Sequence, residues 1–109
     1  MNLETREQGG AVIVGLGGEI DLQHSPRLRK MLMDLMVERR NVVIDMSDVA
    51  YIDSSGIASL VEAYQMARRH GGRFTLARIS PPAMRVLQLA RLDKVFAIAD
   101  SIEAAVKQA

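Results

Sequence analysis

The segment Asn41-Val42-Val43-Ile44-Asp45-Met46-Ser47-Asp48-Val49-Ala50-Tyr51-Ile52-Asp53-Ser54-Ser55-Gly56 contains a change of hydrophobic period. Val42-Val43-Ile44 is a short β-branched run bounded by Asn41 and Asp45, the pattern of a central strand covered on both faces. From Ser54 or Ser55 onward, Ile57, Leu60, Val61 and Tyr64 recur at offsets of three and four residues. That spacing predicts a helix ending near His70, at Gly71-Gly72. A buried strand that feeds a helix implies helices layered on a sheet.

Working toward the N-terminus, Ser25-Pro26 predicts a helix with serine as N-cap and proline at its first position. Leu28, Leu32, Leu35 and Met36 give that helix one apolar stripe, to about Glu38. Before it, residues 11–16 read as a strand and residues 3–7 as a weaker one. Gly9-Gly10 between them forms a turn short enough to demand an antiparallel hairpin. Toward the C-terminus, residues 73–79 read as a strand, and Ser80-Pro81 opens a helix carrying Met84, Leu87 and Leu89. Residues 95–98 are a further strand. Ser101 caps a last helix with Ile102, Ala105 and Val106 inward and Glu103 in the first turn, where the helix dipole favours an anion. Two strands followed by alternating helices and strands argue an α/β fold: a mixed, mostly parallel sheet with an N-terminal hairpin and about four helices.

The chain has 109 residues, 49% of them apolar, which suits one domain over residues 1–109 with a single core. There is no cysteine, hence no disulfide framework, thiolate metal site or thiol nucleophile, and a reducing compartment is expected. Residues 1–10 are polar, and no apolar run approaches the roughly 20 residues of a membrane span, so a cytoplasmic protein without membrane insertion is expected. Fourteen basic against thirteen acidic residues leave a formal charge of +1 and little general pull toward nucleic acid. Arg39-Arg40 and Arg68-Arg69 fall at expected helix ends, where cations oppose the negative end of the dipole.

Several chemistries are disfavoured by spacing. Gly15-Leu16-Gly17-Gly18-Glu19-Ile20 starts like a dinucleotide-binding fingerprint, yet Ile20 stands where its third glycine is required. No phosphate-binding G-x-x-x-x-G-K-[ST] loop occurs, and His24 and His70, the only histidines, lack the spacing of a metal site. Asp53-Ser54-Ser55-Gly56 lacks the first glycine of a nucleophile elbow and any evident base for Ser55. No catalytic residue, cofactor or metal is therefore expected. Two adjacent hydroxyls at a helix start remain to be explained, because one cap needs one serine. The second is available as an exposed hydroxyl on a helix end, where a phosphate is electrostatically tolerated.

Asp45-Met46-Ser47, then Val49, Ile52 and Asp53-Ser54-Ser55-Gly56, resemble the phosphoacceptor segment of the STAS family, the anti-sigma factor antagonists. Gly18-Glu19-Ile20-Asp21 resembles that family's strand-to-helix element, and Leu92-Asp93-Lys94-Val95-Phe96 its segment before the last strand. The likeness spans residues 3–106; one departure is Arg91, where many relatives carry glycine. The resemblance implies a non-enzymatic binding protein. Its partner is an anti-sigma serine kinase of histidine-kinase-like ATPase fold, which phosphorylates Ser55 and which the unphosphorylated form binds, releasing a sigma factor or an equivalent output. A separate serine phosphatase resets the switch. Asp21, Asp53, Ser54, Ser55 and Gly56 are the residues it places at the partner surface, with Gly56 leaving room for a second backbone. Two rival readings are a STAS subunit docking on the ATPase of a membrane transport assembly, and a small esterase using Ser55.

Overall fold

The computed structural model of the protein describes residues 1–108. β1 (Asn2–Gln8) and β2 (Ala11–Ile20) form the antiparallel hairpin, turning at Gly9 and Gly10, whose φ values of 58° and 83° suit glycine. There follow α1 (Ser25–Val37), β3 (Asn41–Ile52), α2 (Ser54–His70), β4 (Arg73–Ala77), α3 (Pro81–Leu89), β5 (Ala97–Ala99) and α4 (Ile102–Lys107). The strands lie in the sheet in chain order, β1-β2-β3-β4-β5, and every pair after the hairpin is parallel. Each parallel step therefore needs a crossover, and α1, α2 and α3 supply them.

Alternation along the strands divides the core in two. Val14, Ile44 and Leu76 face one side, where they meet Leu28 and Leu32 of α1, Leu60 of α2 and Leu87 of α3. Ile13, Val43 and Ala77 face the other, where Ile102 and Ala105 of α4 cover them. Residues 42–44 of β3 are thus buried on both faces as their composition demands, under three helices on one side and one short helix on the other. Among the described residues no helix is long and apolar enough to cross a membrane.

Several details differ from the sequence reading, among them the ends of β2 at Ile20 and of β4 at Ala77. β3 does not stop at Asp45 but runs to Ile52, because β2 continues beside it through Gly17, Glu19 and Ile20. Two register shifts interrupt that stretch, so Val49 and Ile52 both enter the core although they stand three apart, and simple alternation is lost. β5 begins at Ala97, two residues later than expected; Val95 lies outside the strand and exposed, and Phe96 fills the core from the preceding turn. Leu89, expected on the apolar face of α3, is exposed.

The start of α1 is also built differently. His24, not Ser25, is the N-cap and makes no side-chain capping bond; Ser25 is the first helical residue and is buried. The leading amides are satisfied by Asp21 instead, whose carbonyl accepts from the N–H groups of His24 (3.1 Å) and Ser25 (2.8 Å). Ser80 and Ser101 cap as expected, accepting from the amides of Ala83 and Ala104. Arg91 adopts the left-handed conformation, φ 59°, that glycine would take at less cost. The turn persists because the N–H of Leu92 still donates to the carbonyl of Leu87 at 2.8 Å.

Candidate functional site

The parallel pair β2 and β3 ends in register, Ile20 opposite Ile52, and each strand is followed at once by an aspartate. The N–H of Asp53 donates to the carbonyl of Ile20 at 3.1 Å, which fixes the two strand ends together. Asp21 and Asp53 are therefore neighbours at one end of the sheet, although 32 positions separate them in sequence. Asp21 Oδ1 accepts from the amides of Gln23 (3.1 Å) and His24 (3.2 Å) and lies 2.8 Å from His24 Nδ1. That carboxylate holds the loop between β2 and α1 and pairs with a histidine that the sequence reading left unpartnered.

At the start of α2 the cap is Asp53, and neither serine fills that role. Its Oδ1 accepts from the N–H of Ser55 (2.9 Å), the N–H of Gly56 (3.2 Å) and the hydroxyl of Ser55 (2.6 Å). Both serines are thereby released from capping. Ser54 is exposed, and the half-exposed Ser55 has its hydroxyl oriented by a carboxylate. Ser59 ties the arrangement to α1, its hydroxyl donating to the carbonyls of Ser55 (3.2 Å) and Ser25 (3.4 Å).

The carboxyl of Asp53 is held below the ordinary aspartate range, chiefly by the Ser55 hydroxyl. Burial opposes the shift, and the amides of Gly56, Ser55 and Leu22 add to it.

The surface differs from expectation at one position. Asp21, Asp53, Ser54 and Ser55 come together, but Gly56 is buried, and the space its missing side chain leaves is taken by this chain. A Cβ there would stand 2.7 Å from Ile52 Cγ1 and 2.8 Å from Ile20 Cγ2. The glycine lets α2 start directly against the two strand ends. Two apolar side chains that the sequence did not single out also lie at this end: Leu22, 74% exposed, follows Asp21, and Tyr51, 52% exposed, pairs with Glu19 just before Asp53. Leu22 is legible only as an apolar residue in a polar loop, and Tyr51 is obscured by the register shift beside it.

A family model described as STAS domain matches residues 2–105. The chain belongs to the STAS domain family. Similar members include the anti-sigma F factor antagonist of Paenibacillus polymyxa, 29% identical over 93% of this chain and 88% of that protein. The anti-sigma-B factor antagonist of Bacillus subtilis (strain 168) is 27% identical over 98% of both chains. Among solved structures, an anti-sigma factor antagonist from Mycobacterium paratuberculosis superposes with a TM-score of 0.87 at 25% identity, covering 98% of this chain and 92% of that one. This STAS domain is thus similar to the two sequence relatives over 93% and 98% of its length and shares its architecture with the superposed structure.

Two outcomes follow from the cap. Gly56→Ala forces a methyl group against two buried isoleucines, and overpacking of this kind costs about 1–3 kcal/mol; thermal unfolding should shift down by on the order of 5–10 °C. An unchanged melting temperature would return Gly56 to the open surface. Asp53, with its folded-state pKa lowered, stabilises the fold while ionised and loses that contribution as pH falls through the folded-state value, below the ordinary aspartate range. Melting temperature measured between about pH 6 and about pH 2 should therefore fall more steeply at the acid end for the parent than for Asp53→Asn. Parallel profiles would show that the Asp53 charge does not matter to the fold.

Proposed function

We propose that this STAS domain, acting as one unit over residues 1–109, is an anti-sigma factor antagonist whose binding to an ATPase partner is switched by phosphorylation of Ser55. The carrying observation is the Ser55 hydroxyl, half exposed at the start of a long helix and hydrogen-bonded at 2.6 Å to the carboxylate that caps it. The names of the relatives, and matches over 88% and 98% of their lengths, support the antagonist reading. The partner is an anti-sigma serine kinase of histidine-kinase-like ATPase fold. In the transfer the Ser55 oxygen bonds to the γ-phosphorus of ATP, the bond to ADP breaks, and the hydroxyl proton is lost; a serine phosphatase hydrolyses the ester. The domain is a cytoplasmic binding protein and catalyses neither step.

The docking surface is formed by Asp21, Asp53, Ser54 and Ser55, with Leu22 and Tyr51 as apolar anchors beside them. An exposed leucine and tyrosine give such a surface area to bury, and the acidic groups around them suit a partner with cationic side chains. Gly56 supports the surface from within.

Incubation with ATP and the cognate kinase should raise the intact mass by one phosphate in the parent and in Ser54→Ala, and leave Ser55→Ala unmodified. Label retained by Ser55→Ala would overturn the assignment of the acceptor.

A further inference from the structure

β1 is an edge strand, and its outer row of N–H and C=O groups meets no strand among the described residues. The opposite edge, β5, has three residues, whereas β1 has seven, enough length to pair. Side chains of β1 alternate across the sheet. Asn2, Glu4 and Arg6 share the face that α4 leaves open, beside Gly15 and Gly17. Leu3 packs toward the larger core, and Thr5 and Glu7 lie on its side, near the half-buried Met31 and Leu35 of α1. Glu4 and Arg6 are both exposed. Among the described residues neither belongs to an ion pair, and Arg6 bonds the neutral Gln8 at 2.6 Å.

Two copies of this edge can meet about a two-fold axis only antiparallel, and the axis must pass through a residue so that outward-pointing backbone groups face one another. Three central residues offer themselves. An axis at Glu4 sets Glu4 opposite its own copy, and an axis at Arg6 sets Arg6 opposite its own; like charges directly opposite are unfavourable. An axis at Thr5 sets threonine opposite threonine and Glu4 opposite Arg6 twice, once on each side of the axis. All of these pairs are attractive.

We propose that β1 pairs antiparallel with β1 of a second copy of this chain about an axis at Thr5, joining two five-stranded sheets into one. Glu4 and Arg6 set the register, and Met31 and Leu35 gain cover beneath the joined edge. The parallel strands of the two copies then run in opposite directions, so their Ser55 surfaces face opposite ends and each stays open. The pairing is independent of the phosphorylation switch.

Sedimentation equilibrium on the full chain at low salt, over a range of concentrations, tests it. The parent should dimerise reversibly, while Glu4→Arg and Arg6→Glu each weaken self-association about tenfold or more. An equimolar mixture of the two variants should recover a dimer containing one of each, because both cross-strand contacts are then between opposite charges. A parent monomeric up to on the order of 1 mM, or a dimer indifferent to both substitutions, or variants that fail to associate on mixing, would overturn the proposal.

Discussion

Asp53 Oδ1 accepts hydrogen bonds from two backbone amides and one hydroxyl, and the placement of the site depends on that one atom. The two amides are among those left without partners at the start of any helix, so the carboxylate decides that α2 begins at Ser54. The hydroxyl bond decides which serine is held and which is left exposed. Asp53 is itself placed by the bond from its N–H to Ile20, and hence by the parallel pairing of β2 with β3. Gly56 completes the constraint, since any side chain there would push α2 off the isoleucines that end both strands.

Much of this was legible in the sequence because local chemistry and tertiary structure agree. Apolar, often β-branched, runs and helical spacing located the nine elements of the described residues, and the Ser80 and Ser101 caps stood where serine precedes a helical stripe. The failures have a common cause. At Ser54-Ser55 the expected serine cap was displaced by the carboxylate of Asp53, and at Ser25 by His24, with the backbone carbonyl of Asp21 accepting from the amides of His24 and Ser25. At α2 the ionised carboxylate is the stronger acceptor, and both aspartates are brought into position by strand ends that meet only in three dimensions. The second half of β3 was missed for a related reason, because its register shifts against the glycine-rich end of β2 abolish the alternation that identifies a strand. The residues of the proposed docking surface could be named from the sequence only by resemblance, and the packing of Ile20 and Ile52 against Gly56 cannot be read from spacing.

The same geometry bears on the proposed phosphate at Ser55. It brings about −1.5 to −2 charges at neutral pH to an oxygen that now donates to a carboxylate, so the donated bond is lost and two anions become neighbours. The helix end repays some of this, about 0.3–1 kcal/mol, which leaves the monomer with little reason to change beyond its cap. Against a docked protein the terms are larger, because a dianion placed in a contact fitted to a neutral hydroxyl must shed its water, at a cost of several kcal/mol. The proposed switch therefore resides in the interface, and the β-sheet serves as a rigid mount for it.

The direct test is the affinity of the purified kinase partner for the unphosphorylated domain and for the domain carrying one phosphate on Ser55, measured by calorimetry under identical salt. A loss of at least about 2.7 kcal/mol, or roughly a hundredfold in Kd, is expected on phosphorylation. Equal dissociation constants for the two forms would contradict the proposed switch.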